Sequence, residues 1–396
     1  MTGILDGIVV ADFSRVLAGP IATAGLGDLG ATVIKVESAD GDDTRRWGPP
    51  FVDGESSYFL SVNRNKHSVV LDLKDPGDNV LAQRLAARAD VLVENFRPGV
   101  AERLGLGYDA LRAGNPGLVY ASVSGFGRQG EGRDLAGYDF LVQALSGLMS
   151  ITGDAGGEPT KVGVAIVDVL TGLNLQAGVL AALYRRQISG AGQRVDVTLM
   201  GAALAALVNQ ASSWLTAGVE PLRDGNRHPS IAPYETLNAA DGSIVLAVGN
   251  DAQFGRFVAA LGRPELADDT RFATNPERVA HRTELVAVLE SVLAEGTVEH
   301  WTGVITGAGV ACGRVNTVAE AFDFASAVGM SPRAWTVRPD GTPVAQVASP
   351  LALSATPVSY RLPPPRLGEH SDPVRRWLQD DDAGGRPQLL GKEFTR

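Results

Sequence analysis

Gly7-Ile8-Val9-Val10-Ala11-Asp12-Phe13, then the small-residue segment Ile21 to Leu29, then Ala31-Thr32-Val33-Ile34-Lys35-Val36-Glu37: this stretch decides the fold. The outer runs are short, apolar and rich in β-branched residues, as strands buried on both faces are. Between them lies a helical segment with Pro20 near its start, where a missing N–H costs nothing. Strand, helix, strand is a βαβ unit, which implies a parallel sheet with the crossover helix on one face.

The pattern repeats along the chain. Val69-Val70-Leu71-Asp72-Leu73, Asp90 to Glu94, Leu118 to Ser124 and Val195 to Met200 read as further strands, with a helix from Pro76 to Ala89. Each strand runs into a polar or glycine-bearing loop. In open parallel sheets the ligand lies beyond the carboxyl ends of the strands. The regions of Arg15, Arg45–Arg46, Asn95–Arg97 and Gly125–Arg128 are therefore expected to line one crevice. Arginines gathered there, in an acidic chain, point to a phosphorylated ligand.

Gly25-Leu26-Gly27-Asp28-Leu29-Gly30 matches the dinucleotide fingerprint letter for letter. Its context is wrong, because a phosphate-binding turn follows a strand and opens a helix. Here the glycines close a helix and precede a strand, so they are expected to serve a turn and close packing. Nicotinamide and flavin binding are rejected on that ground.

Bulk composition narrows the function. The 396 residues are 44% hydrophobic and 20% charged, a globular composition long enough for two or more domains. A net charge of −10 argues against general affinity for nucleic acid or an anionic membrane. A single cysteine, Cys312, rules out an internal disulfide and fits a reducing compartment. Met1 to Asp6 has neither a basic flank nor an apolar signal core, and no uninterrupted apolar run reaches transmembrane length. The expectation is a cytoplasmic protein with no membrane or nucleic-acid partner. The five histidines lack metal-ligand spacing. There is no P-loop and no serine in an elbow context. A carboxylate remains as the candidate nucleophile.

Asp168 is that carboxylate. Val162 to Val167 leads into it, and Leu173, Ala177, Leu180 and Tyr184 recur behind it at helical spacing, while Gly172, Gly178, Ala181 and Ala182 allow close packing. Asp168 is expected to be an N-cap whose free N–H groups and helix dipole keep it ionised. Further on, Gly218 to Pro233 reads as a linker, and Tyr234 to Val248 as a hairpin around Asp241-Gly242. Helices are expected around 252–261, 282–294 and 300–306. Gly384 to Arg396 reads as a weakly ordered or partner-dependent tail.

Taken in order, these blocks resemble the class III coenzyme A transferases, relatives of formyl-CoA transferase, carnitine CoA-transferases and 2-methylacyl-CoA racemases. The likeness is carried by Arg15 to Pro20, Gly30 to Glu37, Asn63-Arg64-Asn65-Lys66, Leu71-Asp72-Leu73-Lys74, Asn95-Phe96-Arg97-Pro98-Gly99, Arg103-Leu104-Gly105, Asp168, Asn226-Arg227-His228-Pro229, Asp269-Thr270-Arg271-Phe272 and Leu367-Gly368-Glu369-His370. It covers nearly the whole chain. The resemblance implies an α/β fold: a Rossmann-like large domain with a parallel sheet (1–217 and 345–396), a smaller α+β domain (218–344), and an interlocked homodimer. It implies Asp168 as the catalytic residue, and contacts to coenzyme A from Arg15, Ala18, Arg46, Leu71, Asn95, Phe96, Arg103 and Tyr138. The family's arginine after the second strand is Ser38 here, with Arg45 or Arg46 as its replacement. No tightly bound cofactor or metal is implied; a coenzyme A thioester is the substrate.

The implied reaction moves coenzyme A from an acyl-CoA to a carboxylic acid through a mixed anhydride and an aspartyl thioester. Backbone N–H groups at the start of Asp168's helix would steady the oxyanions. The racemase branch pairs its aspartate with a histidine in Gly-His-Asp; here the motif is Gly137-Tyr138-Asp139, and a phenol is a poor α-proton shuttle. Transfer is favoured over racemisation and over a non-catalytic CoA-binding subunit. The glutamine that formyl-CoA transferase carries before Ala-Gly-Pro is Leu17 here.

Overall fold

The structure, a computed structural model, describes residues 3–380; the tail expected at 384–396 lies outside them. The chain forms two compact units. The first comprises the residues up to Leu148, Val162–Gly218 and the chain from Ser331 onward; the second is Met149–Lys161 with Val219–Met330.

The first unit is built on six parallel strands: β1 (Val9–Asp12), β2 (Thr32–Glu37), β3 (Lys66–Val70), β4 (Val91–Glu94), β5 (Val119–Ser124) and β6 (Arg194–Thr198). Their spatial order is β3-β2-β1-β4-β5-β6. The order reverses between β1 and β4, the switch point where Rossmann-type sheets bind ligands. The expected α/β class and parallel sheet are thus present. All four residues of β1 and of β4 are buried, which explains why each reads as an apolar run up to its closing carboxylate, Asp12 or Glu94.

Helices cover both faces. On one side α1 (Ala18–Asp28) and the long helix that starts beside Asp168 close a core of Val10, Leu26, Val33, Val93, Leu175 and Val179. On the other, α2 (Pro76–Arg88) and a C-terminal helix bring Leu85 and Trp377 into a core with Ile34 and Leu92 of the sheet. Next along the chain come α3 (Asp139–Leu145), α4 (Ile166–Ser189) and α5 (Leu199–Ala206). Gly172 sets how close α1 and α4 lie: a Cβ there would sit 2.6 Å from the Ala18 carbonyl oxygen. The glycines of the rejected fingerprint have the packing role expected of them, since a Cβ on Gly25 would strike Gln176 and one on Gly27 would strike Asn65.

By length and composition α4 is apolar enough to cross a bilayer, although its apolar run is not uninterrupted. Its inner face (Val167, Thr171, Gly172, Leu175, Val179, Ala182, Leu183) is buried in the core of this unit. The sequence reading looked for an uninterrupted run, and Asp168, Asn174 and Gln176 interrupt this one.

The second unit contains the expected hairpin, β7 (Tyr234–Ala239) with β8 (Gly242–Ala247), joined antiparallel by β9 (Ala311–Arg314). The register pairs Gly242 with Ala239, so Ala240-Asp241 forms the turn rather than Asp241-Gly242. Helices α6 (Asp251–Ala260), α7 (Arg282–Leu293) and α8 (Val298–Gly307) bury Phe254, Phe257, Leu289 and Ile305 against the sheet.

Two boundaries differ from those drawn by composition. Residues 331–344 fold with the first unit, because β10 (Arg333–Val337) pairs with β11 (Pro343–Val347), and Gln346 donates to the Leu60 carbonyl at 2.8 Å. Residues 149–161 fold with the second unit, where Gly225 N–H donates to Gly153 O and Arg223 to Gly157 O. These tertiary hydrogen bonds have no sequence signature. Last comes α9 (Ser371–Gln379), the C-terminal helix named above.

Candidate active site

Asp168 is the third residue of α4, not its N-cap; Ala165 holds that position and its side chain caps nothing. The cap comes from another helix. The Asp139 carboxylate accepts hydrogen bonds from the backbone N–H of Val167 at 2.8 Å and of Asp168 at 3.2 Å. Ile166 N–H donates to Val164 O, and Val169 N–H to Ala165 O. The N–H groups at this helix start therefore already have acceptors. The expectation that they keep Asp168 ionised and steady oxyanions is corrected: a carboxylate far off in sequence took the role.

The electrostatic consequence is large. Burial, reinforced by the like charge of Asp139, pushes the Asp168 carboxyl up to about 7. The Tyr58 phenol lies in the same field; burial first, then Asp168, push it up to about 12, so it stays protonated and can donate. Trp47 meets Tyr58 edge to face, with centroids 5.2 Å apart. The sequence reading missed Tyr58, and it saw Asp139 only as part of a motif. Nothing local marks either one.

A second group gathers at the switch point. Arg15, in the loop after β1, and Asn95, in the loop after β4, exchange hydrogen bonds, N–H to Oδ1 at 3.0 Å and Nδ2 to O at 2.8 Å. Next to Arg15, Val16 has φ 70, rare for a β-branched residue. Its N–H faces the Asp42 carboxylate at 3.3 Å, and fully buried Lys35 pairs with that carboxylate at 2.8 Å. The loop is thus fastened from below by a buried ion pair. The Arg15 side chain reaches Asp43 at 3.3 Å.

The remaining expected residues divide. Ala18 opens α1 and is buried beneath α4. Phe96 is half-buried on the core, with its N–H on the Glu94 carboxylate at 2.8 Å. Arg103 ends the short helix Val100–Arg103 and is exposed. Tyr138 stands at the N-cap of α3, 65% exposed. Leu71 has its side chain in the core, 1% exposed, which leaves its backbone as the part that can meet a ligand. A strand-end leucine reads alike whichever way its side chain turns.

Arg45 is also corrected as a replacement for the arginine absent at Ser38. Both arms of its guanidinium grip Glu37 at 2.7 Å, it donates to Pro365 O, and it stacks 3.7 Å above the Phe59 ring. Arg46 is exposed, with one long contact of 3.4 Å to the Asp40 carbonyl. Of the pair, Arg46 is the one oriented to solvent.

The model of CoA-transferase family III matches residues 5–371, nearly the whole chain. The chain belongs to CoA-transferase family III. It is 43% identical over 382 residues to the succinate–glutarate CoA-transferase of Agrobacterium fabrum, covering 95% of this chain and 96% of that one. It is 44% identical over 324 residues to the acetyl-CoA:oxalate CoA-transferase of Acetobacter aceti, covering 81% and 83%. The solved structure of a CAIB/BAIF family protein from Brucella suis superposes with a TM-score of 0.84 at 41% identity, over 96% of this chain and 100% of that chain. The family III chain described here is therefore an acyl-CoA:carboxylate CoA-transferase, an enzyme that moves coenzyme A between an acyl thioester and an acid.

Proposed function

We propose that this family III enzyme transfers coenzyme A through covalent intermediates on Asp168. A single observation carries this reading: Asp139 stands at the start of the helix that bears Asp168, so burial and a like charge rather than a cation act on the Asp168 carboxyl and push it up to about 7. A resting structural aspartate would be paired or would cap its own helix. Perturbation by burial plus a like charge is the mark of a carboxyl group set up for chemistry.

An ionised Asp168 oxygen attacks the thioester carbonyl, the carbon–sulfur bond breaks, and coenzyme A leaves as thiolate from a mixed anhydride. The thiolate attacks the aspartyl carbonyl and expels the donor acid as its carboxylate, leaving an aspartyl thioester. The acceptor carboxylate reverses both steps, and Asp168 is regenerated with no net proton uptake. A carboxylate whose conjugate acid titrates near 7 is more basic, hence more nucleophilic, than an ordinary one. The Tyr58 phenol supplies the oxyanion donor that the capped helix start does not.

Coenzyme A is read at the switch point: Arg15, Asn95 and Phe96 shape the crevice, and Arg46 and Arg103 meet phosphates, with Ala18 and the Leu71 backbone lining it and Tyr138 on the acyl side. Both named relatives act on dicarboxylic acids or their thioesters, so we take a short dicarboxylate as one exchange partner. Apolar surface on the first unit (Leu173, Tyr184, Ile188, Leu204, Trp214, Leu215) supports the interlocked homodimer as its cover.

The test is trapping. With succinyl-CoA or acetyl-CoA, hydroxylamine or borohydride treatment followed by peptide mass spectrometry should modify Asp168. An Asp168→Ala protein with full transferase activity ends the reading. Exchange assays with succinate, glutarate and oxalate against a monocarboxylate panel decide the acid class.

A further inference from the structure

The segment that delivers Asp168 is held at both ends by one short helix. From α3, Asp139 Oδ1 accepts the N–H groups of Val167 and Asp168, at 2.8 and 3.2 Å. One turn on, Gln143 donates from Nε2 to Asp139 Oδ2 at 2.6 Å and accepts the Val162 N–H on Oε1 at 2.9 Å. Gln143 is fully buried, so neither of its amide bonds has water as a substitute. The start of α3 is itself located by contact of bare backbones: a Cβ on Gly137 would lie 2.4 Å from the Gly125 Cα, in the loop that leaves β5. The chain of contacts thus runs from the end of β5, through Gly125 and Gly137, to Asp139 and the first turn of α4.

This arrangement resolves a competition. An aspartate in the first turn of a helix normally spends its carboxylate on the free N–H groups there. Asp139 occupies those groups instead. We propose that Asp139, braced by Gln143, is the positioning residue of the transferase: it caps α4 in place of Asp168 and so leaves the Asp168 carboxylate available to the acyl carbon. The proposal rests on the reading of Asp168 as nucleophile. The titratable groups facing Asp168 are Asp139 from α3 and the Tyr58 phenol from the short helix Ser57–Val62.

Two substitutions separate the cap from the charge. Asp139→Asn keeps an oxygen acceptor for the two N–H groups and removes the like charge, at the loss of the Gln143 Nε2 bond, because the amide nitrogen that replaces Oδ2 donates. The acid limb of its kcat/KM profile should move to lower pH by roughly half a unit to one unit. Asp139→Ala frees the N–H groups to capture Asp168, and kcat should fall at least about tenfold while KM for acyl-CoA stays within about threefold. Asp168→Asn is run beside them. If Asp168→Asn keeps its activity, the nucleophile assignment itself fails. If Asp168→Asn is inactive, the proposal for Asp139 is overturned by kcat of Asp139→Ala within twofold of the parent. It is equally overturned by a lowered kcat in that variant with an unmoved limb in Asp139→Asn, the pattern of a merely structural contact. Should Asp139→Ala not fold, Gln143→Met, which removes the brace and leaves the Asp139 charge, decides by the same kcat and KM criteria.

Discussion

Arg15 and Asn95 hold one another by two backbone-to-amide hydrogen bonds across the point where the strand order reverses. Their loops leave adjacent parallel strands, β1 and β4, and would otherwise diverge around the crevice. Asn95 thus fixes the mouth of the switch point from the far side of the loop bearing Arg15 and Ala18.

Asn95→Ala should therefore weaken substrate capture more than chemistry. Losing both bonds removes about 1–2 kcal/mol of loop ordering, so KM for acyl-CoA should rise roughly 5- to 30-fold, with kcat within about threefold. Steady-state kinetics at fixed acceptor concentration checks this.

The pH dependence of the reaction follows from Asp168. Its folded value of about 7 lies above the ordinary 3.8, and in the proposed mechanism the ionised form attacks. kcat/KM should rise with pH through an acid limb near 7 and level off above it. Stability takes the opposite sign. A carboxyl raised on folding contributes fully below the ordinary value and loses its contribution as pH rises through 7. Asp168→Asn should thus be inactive yet more stable at pH 8, by on the order of 2 kcal/mol, with the gain gone near pH 4. Thermal melts of both proteins at the two pH values measure it. A reactive group held at a cost to the fold is the usual trade between activity and stability.

Beneath the crevice, Lys66 donates to Asp12 Oδ2 at 3.1 Å, to Pro20 O at 3.1 Å and to Asn63 Oδ1 at 2.9 Å, all out of contact with water. Burial opposes the Asp12 charge, but Lys66, Lys35 and the hydroxyls of Ser14 and Thr23 hold its carboxyl below the usual range. Lys66→Met leaves that charge short of a partner and should cost about 3–5 kcal/mol in urea unfolding. Adding Asp12→Asn should restore part of the loss, giving a coupling term in the double-mutant cycle.

His67 and His370 meet edge to face inside the first unit, ring centroids 4.7 Å apart, and fasten the C-terminal segment to β3. His370 N–H donates to Ser68 O at 2.9 Å, and its Nδ1 accepts the Ser68 N–H at 3.3 Å. Burial above all, then the neighbouring His370 ring and Arg361, push His67 down to about 3; burial lowers His370 too, against the pull of Glu369. The unfolded chain binds protons the folded one refuses, so stability is present above about 6.5 and falls as pH drops toward 3, by roughly 1.4 kcal/mol per unit for His67, with His370 acting in the same direction. His67→Phe should flatten this acid slope. Limited proteolysis at pH 5 should release the 366–379 segment from the parent before the variant.

Much of this molecule is legible along the chain. Val9–Asp12, Thr32–Glu37 and Val91–Glu94 announce themselves because a strand buried on both faces is mostly apolar and β-branched, with its few charged residues (Asp12, Lys35, Glu37, Glu94) held by hydrogen bonds or ion pairs. The hairpin of the second unit shows by alternation. These are local properties of neighbouring residues, and the sequence by itself determined them: the parallel sheet, the order of its elements and the hairpin. What only tertiary structure decided is which groups satisfy one another at a distance. Asp139 caps α4 from 29 residues away, Glu37 consumes Arg45, Leu71 turns into the core, and Tyr58 enters the field of Asp168. A side chain's hydrogen-bonding capacity is finite, and whichever acceptor the fold brings nearest to a free N–H removes it from every other use. That allocation, set by packing, made Asp168 a raised and available carboxylate instead of a helix cap.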